Sequence, residues 1–241
     1  MLCLTLPCWA GDRQVRIVSL ELPPDAGSQL EARGMCIEII KSAFQRAGYE
    51  AKIEFYAWQR AVEMAKRGMA DCIGNLWYTD RREEWFAYSD SLGIPSRVGF
   101  FKSKALDIRF SGYKELAPYT IGYIHGFAYS REFFKETTGF RKIVYYTPAE
   151  LIEALVIKRI DLALTMKRNG EFLLTNHFSE HRAAFGFMDP PIEVRDEFLG
   201  FSKKSRGYQK KLIDFNQGLA RIKQNGTVAE ILSRHDYEKY R

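Results

Sequence analysis

The chain repeats one arrangement of elements about ninety residues apart, and this repetition is what most constrains its fold. In each copy an amphipathic helix ends near a Lys-Arg pair, an Asp follows, and a short apolar strand comes next. The copies cover residues 58–74 and 149–164. Alternating helices and strands predict an α/β fold with mostly parallel strands. Two copies in 241 residues predict two similar lobes, since a typical domain has roughly 100–150 residues.

The spacing of apolar residues predicts the individual elements. The main predicted strands are Val15–Leu20, Ala51–Tyr56 and Lys142–Tyr146. The main predicted helices are Gly34–Ala47 and Val228–His235. Thr147-Pro148-Ala149-Glu150 is a capping box that begins the helix of the second copy. Two extended segments, 98–102 and 198–203, are expected to cross between the lobes. Lobe 1 is therefore predicted to comprise 11–102 with 203–241, and lobe 2 to comprise 103–202.

The first ten residues are apolar and end in Ala10, directly before Gly11-Asp12-Arg13. This pattern is typical of the second half of a secretory signal, so we expect export to the periplasm and removal of residues 1–10. A buried N-terminal strand is the alternative, but Pro7 and the abrupt change of polarity speak against it. After residue 10 no apolar run approaches the roughly 20 residues that span a bilayer.

Charge and cysteine usage narrow the function classes. The net charge is +6, yet the basic residues are scattered and mixed with acidic ones, so a nucleic-acid partner is not expected. Loss of residues 1–10 leaves Cys36 and Cys72, for which separate free thiols are favoured over a disulfide because one lies on a predicted helix and the other in a strand. Neither a metal-ligand spacing nor a nucleophile triad occurs, so no metal, cofactor or catalytic residue is predicted.

Three motifs stand in the same order as in one known protein family. They are Trp58-x2-Ala61-x6-Gly68-x2-Asp71 with Thr79-x2-Arg82 and Ser89-Asp90, then Ile121-Gly122-x3-Gly126, and finally Asn225-Gly226-Thr227. In these the chain resembles the type II periplasmic solute-binding proteins, namely the amino-acid-type family 3 of ABC importers. The resemblance covers nearly the whole chain. It implies a monomer with two lobes, mixed and mostly parallel sheets, two hinge strands, a ligand cleft between the lobes and an ABC transporter permease as partner.

The resemblance places Arg82 where relatives bind a ligand carboxylate. The chemistry suits arginine, because its planar fork donates two parallel hydrogen bonds to a carboxylate and stays charged at any working pH. Two alternatives remain open. Arg82 is a surface residue paired with Glu83 or Glu84, or the neighbouring Arg81 takes its place, although the seven-residue step from Arg82 to Ser89 fits the motif.

Four further residues of lobe 1 are candidate ligand contacts by the same resemblance. Asn75 and Trp77 lie in the loop after the buried strand, and Trp77 stands where relatives have a hydroxyl. Trp77 is either a stacking wall for the ligand or a plug that fills the cleft. Trp58 begins a helix that faces the cleft in similar proteins, with packing as the alternative. Glu21 lies where relatives place an acidic or aromatic contact.

Lobe 2 supplies the remaining candidates. Gly126 and Phe127 are expected to open a helix whose free backbone amides suit an anionic group, and Tyr129 to offer its hydroxyl. Thr165 precedes Met166, which stands where relatives have the aspartate that pairs with an α-ammonium. A desolvated ammonium without a partner costs several kcal/mol. The ligand is therefore expected to lack this group unless Glu21 supplies a carboxylate.

The function that these observations favour is a non-enzymatic solute-binding protein. It would capture a small carboxylate-bearing solute, an amino acid or a similar compound, for an ABC transporter. One alternative is a dehydratase-like periplasmic enzyme on the same scaffold, with Glu21, Asp25 or Glu171 as the acid. Another is a ligand-sensing binding protein that serves a receptor. The fold by itself does not decide among these.

Overall fold

The computed structural model describes residues 13–241, which form two β-sheets covered by helices. The strands are β1 (Gln14–Ser19), β2 (Glu50–Phe55), β3 (Cys72–Leu76), β4 (Phe86–Tyr88), β5 (Ser96–Ser103), β6 (Ile121–Ile124), β7 (Lys142–Tyr145), β8 (Leu162–Met166), β9 (Phe185–Phe187), β10 (Glu193–Arg195) and β11 (Phe198–Ser202). The helices are α1 (Met35–Arg46), α2 (Trp58–Lys66), α3 (Arg131–Glu136), α4 (Pro148–Val156), α5 (Lys167–Asn176), α6 (Tyr208–Gln224), α7 (Thr227–Arg234) and α8 (Tyr237–Tyr240). The predicted signal segment, residues 1–10, lies outside the described part of the chain.

The first sheet has the strand order β2-β1-β3-β11-β4. β1 pairs in parallel with β2 and β3, whereas β11 pairs antiparallel with β3 and β4. Helices α1 and α6 cover one face, where the Phe44 and Phe215 rings lie 4.8 Å apart. Gly218 allows this close packing, because a Cβ there would lie 2.2 Å from the Ala43 carbonyl oxygen.

The second sheet has the order β10-β5-β8-β6-β7, with β9 also paired to β5. β6 pairs in parallel with β7 and β8, and β5 runs antiparallel to β8. The predicted capping box begins α4: Glu150 N donates to Thr147 Oγ1 at 3.1 Å, and Thr147 N donates to the Glu150 carboxylate at 3.2 Å. The predicted α/β fold with two sheets is therefore confirmed.

The crossings between the sheets differ from their predicted positions. β5 pairs with β8 of the second sheet from Val98 to Lys102, and β11 belongs to the first sheet. The chain therefore crosses at about residues 90–95 and again at 196–197, and the second sheet begins at Ser96 instead of 103. Alternation along a strand does not reveal which sheet the strand joins, because that choice depends on distant partners. We use lobe 1 for 13–95 with 196–241, and lobe 2 for 96–195.

Helix α5 was not predicted, and it connects the lobes. It belongs to lobe 2, yet its Phe172 ring packs against Tyr240 of α8 at 5.5 Å, and Asn176 donates to the Tyr240 hydroxyl at 3.3 Å. Within the described residues, no helix has the length and apolar content to cross a membrane. Cys36 in α1 and Cys72 in β3 are buried free thiols, as favoured from the sequence.

Candidate functional site

A groove of about 740 Å³ runs between the lobes. It leads to an inner cavity of about 20 Å³, which is room for about one water molecule. Trp58, Arg82 and Ala128 line both spaces. The wall of the inner cavity is apolar and aromatic except for three side chains, those of Asn75, Arg82 and Glu197. An apolar cleft with a few converging polar groups is the usual form of a small-molecule site.

Arg82 lies at the junction of the groove and the inner cavity, on a 3-10 helix (Asp80–Glu84) whose N-cap is Thr79. Its Nη1 donates to the Trp77 carbonyl at 3.0 Å, and its Nη2 donates to the Gly126 carbonyl of lobe 2 at 3.3 Å. Among the described residues no carboxylate lies within ion-pair distance of Arg82, so the alternative pairing with Glu83 or Glu84 is not observed.

The surroundings of Arg82 disfavour its charge. Burial lowers the pKa of Arg82, and the positive charge of Arg195 lowers it further, against an opposing effect of Tyr88. A partly buried guanidinium that binds only neutral carbonyls retains a strong attraction for an anion. Arg82 is therefore the group in the cleft best suited to bind a carboxylate.

Trp58 and Gly126 join the two lobes at the same point. Trp58 is 7% exposed, and its indole Nε1 donates to the Gly126 carbonyl at 2.9 Å. That carbonyl thus accepts from both Trp58 and Arg82. Gly126 has φ +77°, a backbone conformation that favours glycine, and a Cβ there would lie 3.1 Å from Trp58 Cδ1 of the other lobe. Trp58 faces the cleft, as the resemblance implied.

Trp77 and Phe127 fill the cleft from opposite lobes. Their rings lie 5.8 Å apart in an edge-to-face arrangement, and both line the inner cavity. The indole Nε1 of Trp77 donates to Glu197 at 3.1 Å. In this conformation Trp77 fills the cleft, which is the second of the two interpretations given for it.

The structure corrects the expected helix start at Gly126. α3 begins only at Arg131, with Ser130 as its N-cap, so Gly126 and Phe127 lie in a turn and offer no helical amides to an anion. Sequence reasoning missed the cap because Ser130 follows an unpatterned stretch. The Tyr129 hydroxyl is also used inside lobe 2: it accepts from Ile124 N at 3.3 Å and donates to the Leu164 carbonyl at 3.0 Å.

Thr165 and Glu21 do not line the inner cavity. Thr165 is buried in β8, where successive side chains point to opposite faces, and Met166 is the one that lines the cavity. Glu21 is exposed and accepts from Ser28 N at 3.0 Å. It therefore does not supply the carboxylate that Met166 lacks. Glu171, proposed as an acid for catalysis, forms an ion pair with Arg182 instead.

Glu197 is the polar residue of the cavity that sequence reasoning missed. It is fully buried between β10 and β11, and its Oε1 accepts from Trp77 Nε1 and from Ser96 Oγ at 2.7 Å. Burial raises the pKa of Glu197 to about 7; the negative charge of Asp25 contributes, and Arg168 opposes. No motif marks this position, because its burial arises from the crossing of the chain between the sheets.

A second arginine binds both lobes behind the cavity. Arg168 of α5 donates from Nε and Nη2 to the two carboxylate oxygens of Asp25, each at 2.9 Å. It also donates to the Pro95 carbonyl at 2.7 Å and to Ser96 Oγ at 3.0 Å, at the first crossing. Both partners of this pair are buried, with exposed side-chain fractions of 2% for Arg168 and 0% for Asp25. Asp25 is thus engaged and does not face the cleft as a free acid.

Two α/β lobes joined by two crossings, with a largely apolar cavity that holds three polar side chains between them, define a two-lobed binding protein. The sequence profile of the bacterial extracellular solute-binding proteins, family 3, matches residues 21–237, and the chain belongs to this family. No curated protein sequence matches it significantly.

Solved structures with the same fold bind different ligands or serve a sensor. A histidine kinase sensor domain with similarity to periplasmic binding proteins has a TM-score of 0.80 at 14% identity, covering 92% of this chain and 95% of that one. The GluR0 ligand-binding core from Nostoc punctiforme, in complex with L-glutamate, has a TM-score of 0.77 at 18% identity, covering 91% of this chain and 98% of that one. The arginine-, lysine-, histidine-binding protein ArtJ from Geobacillus stearothermophilus has a TM-score of 0.78 at 14% identity, covering 94% of each chain. At these identities the likeness concerns the fold alone.

Proposed function

We propose that this chain is a periplasmic solute-binding protein that captures a small carboxylate-bearing solute, an amino acid or a similar compound, and delivers it to the permease of an ABC transporter. The observation that carries the proposal is Arg82. It faces the cleft between the lobes and, within the part of the chain that the structure describes, has two neutral carbonyls but no carboxylate as acceptors.

A ligand carboxylate would replace the Gly126 carbonyl on Arg82. It would make charge-assisted hydrogen bonds, which are roughly twice as strong as bonds to a neutral carbonyl. The inner cavity of about 20 Å³ has no room for such a ligand, so the lobes must separate for it to reach the inner end of the cleft. Binding would then select a liganded closed form that the permease recognises, with no chemical step.

A ligand-sensing role is the second candidate, favoured by the similarity to a histidine kinase sensor domain. Both candidates share the binding step and differ in the partner. Deletion of the gene separates them: a transport role predicts loss of ligand uptake, whereas a sensing role predicts normal uptake and loss of a transcriptional response.

A thermal-shift screen tests the binding step. The probes are amino acids, dicarboxylates, aromatic acids and polyamines, with wild type, Arg82→Met and the control Arg81→Met. Carboxylates are expected to raise the Tm of wild type and of Arg81→Met but not of Arg82→Met, because a ligand that binds only the folded state stabilises it. A shift with polyamines alone, or an unchanged shift in Arg82→Met, would refute the proposal.

A further inference from the structure

We propose that Glu197 is a ligand-binding residue, which accepts a hydrogen bond from an ammonium group of the same ligand whose carboxylate binds Arg82. The inference rests on the proposed function and names the class of ligand: a compound with a carboxylate and a nearby ammonium. It replaces the expectation, drawn from Met166, that the ammonium has no partner.

The two oxygens of Glu197 are used differently. Oε1 accepts from both Trp77 Nε1 and Ser96 Oγ, whereas Oε2 is buried and has no hydrogen-bond partner among the described residues. Buried carboxylate oxygens are normally paired, because an unmade hydrogen bond leaves the cost of desolvation uncompensated. Glu197 lines the inner cavity together with Arg82, so a donor placed in that cavity lies where Oε2 lacks one.

Asn75 adds a second unpaired group of opposite polarity. Its Oδ1 accepts from Ser19 Oγ at 3.1 Å, while its Nδ2 has no oxygen acceptor among residues 13–241 and interacts with the weakly accepting thiol of Cys36. The backbone of Asn75 has φ +54°, an uncommon conformation that often occurs at functional sites. The cavity thus offers donors from Arg82 and Asn75 and an acceptor from Glu197, which is the complement of a carboxylate beside an ammonium.

Glu197 is the only acidic side chain lining the inner cavity in the described part of the chain. Asp25, the nearest competing carboxylate, has both its oxygens on Arg168. An ammonium that enters the cavity therefore has one carboxylate to bind, that of Glu197. This residue lies where the chain crosses between the lobes. The contact forms only when the ligand reaches the inner end of the cleft.

Proton release gives this contact a signature. At neutral pH Glu197 is partly protonated, since its pKa lies at about 7. The charged groups that act on it are Asp25 and Arg168, its negative charge acts on the thiol of Cys36, and Arg82 lines the same cavity. An ammonium favours the ionised carboxylate and expels the proton. Affinity for an ammonium-bearing ligand should therefore rise with pH, by up to about tenfold per pH unit below the pKa of Glu197.

Calorimetry on paired probes tests the inference. The pairs are L-phenylalanine with 3-phenylpropanoate, L-glutamate with glutarate, and L-arginine with 5-guanidinopentanoate, each pair differing only in the α-ammonium. Glu197→Gln is the decisive variant, because its Oε1 still accepts from Trp77 and Ser96 while only the Oε2 position changes. Glu171→Gln is the control, a buried glutamate outside the cavity.

We expect wild type and Glu171→Gln to bind the ammonium member of at least one pair roughly 10–150-fold more tightly, the range for one hydrogen bond to a charged group. Glu197→Gln should lose this preference while retaining the affinity for the partner without the ammonium. Wild type should also release protons on binding the ammonium member, measured in two buffers of different ionisation enthalpy. That measurement decides the matter even where the variant does not fold.

Two results would overturn the inference. If carboxylates bind but the preference for ammonium is absent in wild type or persists in Glu197→Gln, Glu197 does not bind the ligand and the proposed function stands. If no carboxylate probe binds the wild type, the proposed function fails, and the role of Glu197 fails with it.

Discussion

Arg168 and Arg82 both contact the two lobes, as Arg195 also does, and they differ in what their guanidinium groups bind. Arg168, at the first crossing, binds both oxygens of Asp25 and two further acceptors. Arg82, at the groove, binds two neutral carbonyls and, among the described residues, no carboxylate. The guanidinium of Arg168 thus has a carboxylate partner, whereas that of Arg82 has only neutral acceptors among the described residues.

The difference separates a structural role from a binding role. A buried ion pair with all its strong acceptors in place offers nothing to a ligand, and it costs several kcal/mol to break. An arginine that holds only carbonyls can exchange them for a carboxylate. We infer that Arg168 joins the lobes permanently at the crossing, whereas Arg82 joins them in a way that a ligand replaces.

The largest expected effect is the loss of stability when the ion pair between Asp25 and Arg168 is broken. Asp25→Asn or Arg168→Met should each lower the free energy of unfolding by about 3–5 kcal/mol, because each leaves one buried charge without its partner. Urea denaturation measures this loss. The double variant Asp25→Leu/Arg168→Met should recover most of it, since it removes both charges. A loss below about 1 kcal/mol, which is the range of exposed ion pairs, would contradict the structural role.

Glu197 should make stability depend on pH. Its pKa in the folded protein, about 7, is above the ordinary glutamate value of 4.5. Its contribution to stability is therefore complete below pH 4.5 and is lost as the pH rises through 7. Wild type should lose on the order of 1–3 kcal/mol across this range relative to Glu197→Gln. Parallel pH profiles of the two proteins would show that the buried carboxyl is not perturbed.

Trp58→Phe should have a smaller effect. It removes the indole donor to the Gly126 carbonyl but keeps an aromatic ring in the cleft. We expect the free energy of unfolding to fall by about 1–2 kcal/mol, from one hydrogen bond and some lost packing. Chemical denaturation measures it, with Trp85→Phe as the control on the outer wall of the groove. Equal losses in the two variants would mean that the contact with Gly126 adds nothing.

The smallest expected effect on stability is that of Arg82→Met. The variant loses two bonds to carbonyls, but it also removes a partly buried charge and its repulsion by Arg195. These terms oppose each other, so the free energy of unfolding should change by less than about 1 kcal/mol. A loss as large as that of Arg168→Met would show that both arginines are structural.

The sequence predicted those parts of the molecule that have local signals. Residues that are close together in the sequence determine three such features. These are the capping box of α4, the apolar face of α1 and the position of Trp58 at the start of α2. Arg82, predicted as the carboxylate-binding residue from its spacing to neighbouring motif residues, lines both the groove and the inner cavity. Asn75, Trp77 and Phe127, also expected as ligand contacts, do line the inner cavity.

What the sequence did not predict depends on distant partners. Asp25 and Arg168 are separated by 143 positions, and α5, which carries Arg168, has no capping signal. Glu197 acquires its burial from the crossing of the chain, 101 positions from its partner Ser96. A pattern read along the chain identifies a strand or a helix. It does not show which carboxylate reaches which arginine once the sheets are assembled.

Calorimetric titration of wild type, Arg82→Met and Arg81→Met with a carboxylate found in the screen tests the central claim most directly. Arg82→Met should weaken binding by about 2–5 kcal/mol, as for the loss of one partner of a desolvated charge pair, and Arg81→Met should bind as wild type does. Equal affinities of the three proteins for the carboxylate would contradict the account, because Arg82 would then not be where the ligand binds.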